Sequence, residues 1–145
     1  MAAALRICQL GCADAAWWVV AIVSPTTLEI EKLTAYWRVQ IPDELRCYWL
    51  EAKSFEGFCG DKRQGEYVQF YSARDALTEF GLATKEFMPS GFLPLGSNGS
   101  GELIVYSENI GYGLLGAIHG GAADFVLVAD TLAGFWQKSV EGNWL

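Results

Sequence analysis

At 145 residues, 52% hydrophobic and 14% aromatic, the chain has apolar mass for one domain with its own core. A domain of this size buries about 70% of the surface its unfolded form exposes. Disorder is excluded, and neither a disulfide nor a structural metal is required. Seventeen Asp and Glu against ten Lys and Arg give a net charge of −7. That charge opposes binding to nucleic acid, where Lys and Arg must replace phosphate counterions, and favours a basic partner.

Residues 1–24 are set apart as an N-terminal extension, and residues 25–145 are read as the domain. The extension looks like a signal peptide only superficially. Asp14 falls inside the region that should be apolar, and no small-x-small cleavage site follows before Ser24 and Pro25. The apolar run at 15–23 is far short of the ~20 residues that span a bilayer. The expectation is a cytoplasmic protein with no membrane partner. Cys8, Cys12, Cys47 and Cys59 include no CxxC pair, and there is one histidine, so no zinc site or other cofactor is expected. The cysteines are expected as reduced, buried thiols.

The first confident helix opens at Pro25. Thr26 and Glu29 have capping-box spacing, and Leu28, Leu33 and Trp37 are expected on one apolar face. A second helix starts at Pro42, a residue suited to a first helical position, with Asp43 and Glu44 complementing the helix dipole. Leu45, Tyr48, Trp49 and Ala52 follow at i, i+3, i+4, i+7, a core stripe. Residues 55–65 are polar and glycine-bearing and read as a loop. Residues 67–71 alternate as a strand does, and Ser72 with Asp75 repeats the capping spacing ahead of a short helix that Gly81 ends. Beyond a connection at 84–91, apolar runs at 92–95, 103–106, 114–118 and 125–128 are separated by Gly, Asn and Ser, the pattern of antiparallel strands joined by short loops. At Leu132, Phe135, Trp136 and Val140 the spacing becomes helical.

Several segments invite a chemical reading. GSNGSG at 96–101 has the glycine content of a phosphate loop, but such a loop needs a helix directly after it. Here a strand headed by Glu102 follows, so the segment reads as a hairpin turn in which Gly99 or Gly101 takes a positive φ. Asn98-Gly99-Ser100 fits a glycosylation sequon, which is incidental without export. His119, the single histidine, could pair with Cys47 or Cys59 as a thiol nucleophile, since such partners meet only in the fold. Neither cysteine lies in a nucleophile motif, and a thiol-dependent enzyme using Cys59 and His119 is kept as a subordinate alternative. No carboxylate pair for acid–base work can be selected.

Four features in order carry a family resemblance. These are the Ile41-Pro42-x-x-Leu45 helix start, a strand and short helix at 67–80, Phe92-Leu-Pro-Leu-Gly-x-x-Gly-x-Gly101-Glu102, and the closing Leu132-x-x-Phe135-Trp136 helix. Together they resemble the SUKH superfamily, in its branch related to the yeast cell-wall assembly regulators, over roughly residues 27–140. The resemblance implies a single α+β domain with a curved, mainly antiparallel sheet and helices packed against it. It also implies protein binding without catalysis, either as an immunity protein that neutralises a bacterial toxin or as an intracellular adaptor or regulator. With the −7 charge, the expected partner is a basic, nucleic-acid-targeting toxin domain. Glu56, Asp61 and Glu66, close in sequence to Phe58 and Tyr67, combine charge with aromatic surface and are the candidate contact residues. Glu102 and Glu108, which bracket the strand after the glycine turn, are weaker candidates.

Overall fold

The computed structural model describes residues 25–51, 54–59, 65–77 and 87–144. Helix α1 (Pro25–Trp37) begins at the proline, so Thr26 stands in the first turn rather than at the cap. Its buried stripe is Ile30, Leu33 and Trp37, at helical spacing. Leu28, expected on that face, is 48% exposed; two residues from Ile30, it points to the other side of the helix. Arg38 takes a left-handed conformation (φ 54°) and ends the helix. The buried linker residues Val39 and Ile41 then lead into α2 (Asp43–Glu51). The Pro42 carbonyl accepts from the Leu45 and Arg46 amides at 3.1 and 3.0 Å, which places Pro42 at the cap, one position earlier than the spacing suggested. Leu45, Tyr48 and Trp49 are buried as expected, while Ala52 lies outside the described residues. Trp49 donates its indole N–H to the Tyr71 carbonyl at 2.9 Å and so ties α2 to the end of a strand.

Six strands follow, β1 (Phe55–Phe58), β2 (Tyr67–Phe70), β3 (Phe92–Ser97), β4 (Glu102–Ser107), β5 (Gly111–Gly116) and β6 (Val126–Ala129). They lie side by side in chain order, each antiparallel to the next. Helix α3 (Ala73–Leu77) lies between β2 and β3, and α4 (Leu132–Glu141) follows β6. The fold is a single α+β domain with an open antiparallel sheet. The Ser72 hydroxyl accepts from the Asp75 amide at 3.1 Å, as its spacing predicts. Residues 55–58, read as loop, are instead the edge strand. Glu and Gly within four residues hide the alternation, yet Phe55 pairs with Phe70 and Phe58 with Tyr67. The strand expected at 114–118 is shifted to Gly111–Gly116 and leaves Ile118 99% exposed in the following loop.

Strand alternation divides the sheet into two faces. On one, Val68, Phe70, Leu93, Leu95, Ile104, Tyr112 and Leu114 join Leu45, Tyr48, Trp49, Leu132, Phe135 and Trp136 in the main core. On the other, Phe92, Val105 and Leu115 form a smaller cluster with Leu103 and Phe125 packed against it. Glu44 links three elements across the main core. One carboxylate oxygen accepts from the Tyr112 hydroxyl at 2.8 Å and from the Leu132 amide at the start of α4 at 3.0 Å. The carboxylate expected to complement its own helix therefore also serves the N-terminus of another. Thr131 caps α4 by accepting from the Gly134 amide, and Gly142, left-handed at φ 68°, ends it.

Candidate protein-binding surface at one end of the sheet

Antiparallel pairing in chain order gathers alternate connections at each end of the sheet. The register Phe58↔Tyr67, Gln69↔Ser97 and Glu102↔Gly116 puts the end of β1, the start of β2, the β3–β4 hairpin and the β5–β6 loop at the same end. A hydrogen bond from the Ala117 amide to the Gly101 carbonyl at 2.9 Å joins the last two.

At this end the candidate contact residues on β1 and β2 meet. Tyr67 donates its hydroxyl proton to Glu56 Oε1 at 2.6 Å, and this bond raises the Tyr67 pKa above the usual phenol value. The phenol thus stays protonated and holds the carboxylate in place. The Phe58 and Tyr67 rings meet edge to face, centroids 5.3 Å apart and planes at 69°, a favourable aromatic geometry. Phe58 is 45% exposed. Glu56 lies on the edge strand, not in a loop. Glu66 is held by its backbone: its carbonyl accepts from the Cys59 amide at 2.9 Å, and its amide donates to the Ser139 carbonyl at 2.8 Å. Asp61 lies outside the described residues.

The glycine-rich turn is the expected hairpin. Both Gly99 (φ 76°) and Gly101 (φ 96°) take positive φ. The Asn98 side-chain carbonyl accepts from the Ser100 and Glu102 amides at 2.9 and 3.2 Å, and its amide donates to Glu102 Oε1 at 3.0 Å. Glu102 is therefore part of the turn's own bonding, while staying at the same end as Glu56 and Tyr67. A Cβ on Gly99 would lie 3.1 Å from Tyr67 Cδ1 and Cε1, so the hairpin backs directly onto the Tyr67 ring. Gly99→Val combines left-handed strain with that contact. It is expected to cost about 2 kcal/mol, read as a lower urea midpoint, and to disturb the Tyr67 ring resonances. Gly101 has open space around its Cβ position, so Gly101→Ala incurs backbone strain alone, about 1 kcal/mol.

Glu108 is not part of this cluster. It sits in the β4–β5 turn at the opposite end of the sheet, where its carboxylate accepts from the Gln40 amide at 3.1 Å and anchors the linker between α1 and α2. The Cys59–His119 pairing is corrected as well. Cys59 is fully buried, and desolvation pushes its thiol up to about 12, the reverse of an activated thiolate. His119 follows β5, four inter-strand steps from β1, or roughly 19 Å, and its Nδ1 accepts from the Gly121 amide at 3.1 Å. Cys47 is disulfide-bonded, against the expectation of reduced thiols, and Cys59 is free. Among the described residues no group of His, Cys, Asp and Glu could hold a metal ion, and no helix is long and apolar enough to cross a membrane.

The domain is thus a six-stranded sheet in strict chain order, followed by an aromatic helix and carrying an acid–aromatic cluster at one end. The chain belongs to the SMI1/KNR4 family (SUKH-1), whose model it matches over residues 24–138. Domains of this family are generally not enzymes, and the family is consistent with immunity or regulatory proteins. A search of curated proteins finds no match.

Proposed function

We propose that this chain is a non-catalytic binding protein of the immunity type, which neutralises a basic, nucleic-acid-targeting toxin domain in the cytoplasm by occupying its cationic cleft. The observation that carries the reading is the Glu56–Tyr67–Phe58 cluster at the end of the sheet, with Phe58 half-exposed and the carboxylate held beside it. A net charge of −7 accelerates encounter with a basic partner, and a pre-organised aromatic pair supplies contact area with little ordering entropy. Co-expression with the C-terminal domain of the cognate secreted toxin is expected to restore growth; continued killing at full expression overturns the reading. Recovery of the same cellular proteins from strains without a cognate toxin would instead place the chain among adaptors or regulators, since fold alone does not set function.

Charge complementarity also makes a kinetic prediction. Changing Glu56, Asp61 and Glu66 together to Lys is expected to slow association with the basic partner by about tenfold and to flatten its salt dependence. The far-ultraviolet spectrum is expected to stay unchanged. Stopped-flow association at several ionic strengths measures this, and an unaltered salt slope removes these three residues from the interface.

A further inference from the structure

We infer that Glu56, Phe58 and Tyr67 form a docking subsite for an arginine side chain of the partner. This deepens the protein-binding reading above and rests on it. The subsite has the two parts that a guanidinium uses. An exposed aromatic ring offers a face to a flat, weakly hydrated cation, and a carboxylate beside it accepts the N–H donors. Phe58 supplies the ring, 45% exposed and braced edge to face against Tyr67 at 5.3 Å. Glu56 supplies the carboxylate, positioned by the Tyr67 hydroxyl at 2.6 Å. Gly99 lies against the Tyr67 ring, so the β3–β4 hairpin fixes the tyrosine that positions both partners. These contacts exist before any ligand arrives, which lowers the ordering entropy of binding.

The same geometry discriminates between cations. A lysine ammonium is compact and strongly hydrated, so it gains less from the ring and cannot present a planar fork to the carboxylate. The pairing is also local to one strand pair, since Glu56 faces Gln69 and Phe58 faces Tyr67 in the β1–β2 register. A partner segment that runs along the edge strand β1 would bring its arginine to Phe58 and its backbone past Glu56.

The probes are two short glycine–serine peptides, identical except that one carries arginines where the other carries lysines. They are titrated at low salt into the full chain bearing Lys62→Gln and Arg63→Gln, which removes the two cations that the sequence places between β1 and β2. Amide and aromatic resonances are followed by NMR. The expected result is saturable shifts centred on Glu56, Phe58, Tyr67 and Gly99, with the arginine peptide bound about fivefold more tightly than the lysine peptide. Phe58→Leu keeps an apolar residue but removes the π face, and it is expected to abolish that preference. Glu56→Gln keeps an acceptor for Tyr67 and is expected to weaken both peptides. Equal affinity for the two peptides, or shifts spread over acidic residues remote from β1, overturns the inference. The toxin co-expression test is read separately. Neutralisation by a chain without arginine preference sinks the subsite alone, and arginine preference without neutralisation of the cognate toxin sinks the immunity reading alone.

Discussion

Replacing Gly96 by valine is expected to detach the β1–β2 ribbon from the rest of the sheet and to lower stability by more than about 3 kcal/mol. A Cβ at this position would lie 1.9 Å from the Gln69 carbonyl oxygen and 2.9 Å from the carbonyl carbon. Both are backbone atoms, so no rotamer change can relieve the overlap, and one strand must move. The junction has little to spare. β2 and β3 are joined through the pairs Gln69↔Ser97 and Phe70↔Gly96, with one further bond from the Tyr71 amide to the Leu95 carbonyl at 2.8 Å. The register between β3 and β4 shifts between Pro94 and Gly96, and such bulges bend a strand. Moving β2 takes with it Tyr67 and its partner strand β1, hence Phe58 and Glu56. The urea midpoint is therefore expected to fall, and amide protection to be lost first in β1 and β2. A variant with native midpoint and native protection there would show that the ribbon tolerates the displacement.

Much of this architecture was legible in the sequence because its signals are local. Pro42 with Asp43 and Glu44 marks a helix start, and the apolar run at 103–106 beside a glycine-rich turn marks a strand. The glycines between Ser97 and Glu102 demand a turn, and the aromatic spacing of Leu132, Phe135 and Trp136 announces the last helix. What was missed depends on partners distant in the chain. Four residues containing Glu and Gly show no strand period, and β1 exists because Phe55 and Phe58 pair across to Phe70 and Tyr67. Leu28 and Ile30 are both apolar, and the one that is buried depends on which side of α1 meets the core. The candidate surface divides in the same way. Closeness in sequence found Glu56, Phe58 and Tyr67, which pairing brings together. It could not see that Glu108 belongs to the opposite end, holding the Gln40 amide, nor that Glu102 is occupied by Asn98. The role of Gly99 as a wall behind Tyr67 had no sequence signal beyond the glycine itself.

The Trp136→Ala variant is expected to lose about 4 kcal/mol, whereas Trp136→Phe is expected to lose under about 1.5 kcal/mol. Trp136 is fully buried, and its ring meets Phe55 at 5.5 Å, Phe70 at 5.4 Å, Phe135 at 5.7 Å and Tyr48 at 5.8 Å. Those neighbours come from β1, β2, α4 and α2, so alanine leaves a cavity at the point where four elements converge. Collapse around that cavity is opposed by the sheet, which cannot move one strand without its neighbours. The phenylalanine variant behaves differently for a specific reason. The indole N–H of Trp136 is buried with no hydrogen-bond partner among the described residues, and an unsatisfied buried donor carries a desolvation penalty of about 1–3 kcal/mol. Phenylalanine removes that donor while keeping an aromatic ring for the same neighbours, so relief of the penalty offsets part of the lost contact area. Because Phe55 anchors β1 onto Trp136, the alanine variant is also expected to loosen the edge strand and to dampen the Phe58 and Tyr67 contact signals, with phenylalanine leaving them in place. Chemical denaturation of the two variants against the native chain measures the energetic part. Equal losses for alanine and phenylalanine would mean that a phenyl ring recovers none of the lost contact and that removing the indole N–H relieves no penalty.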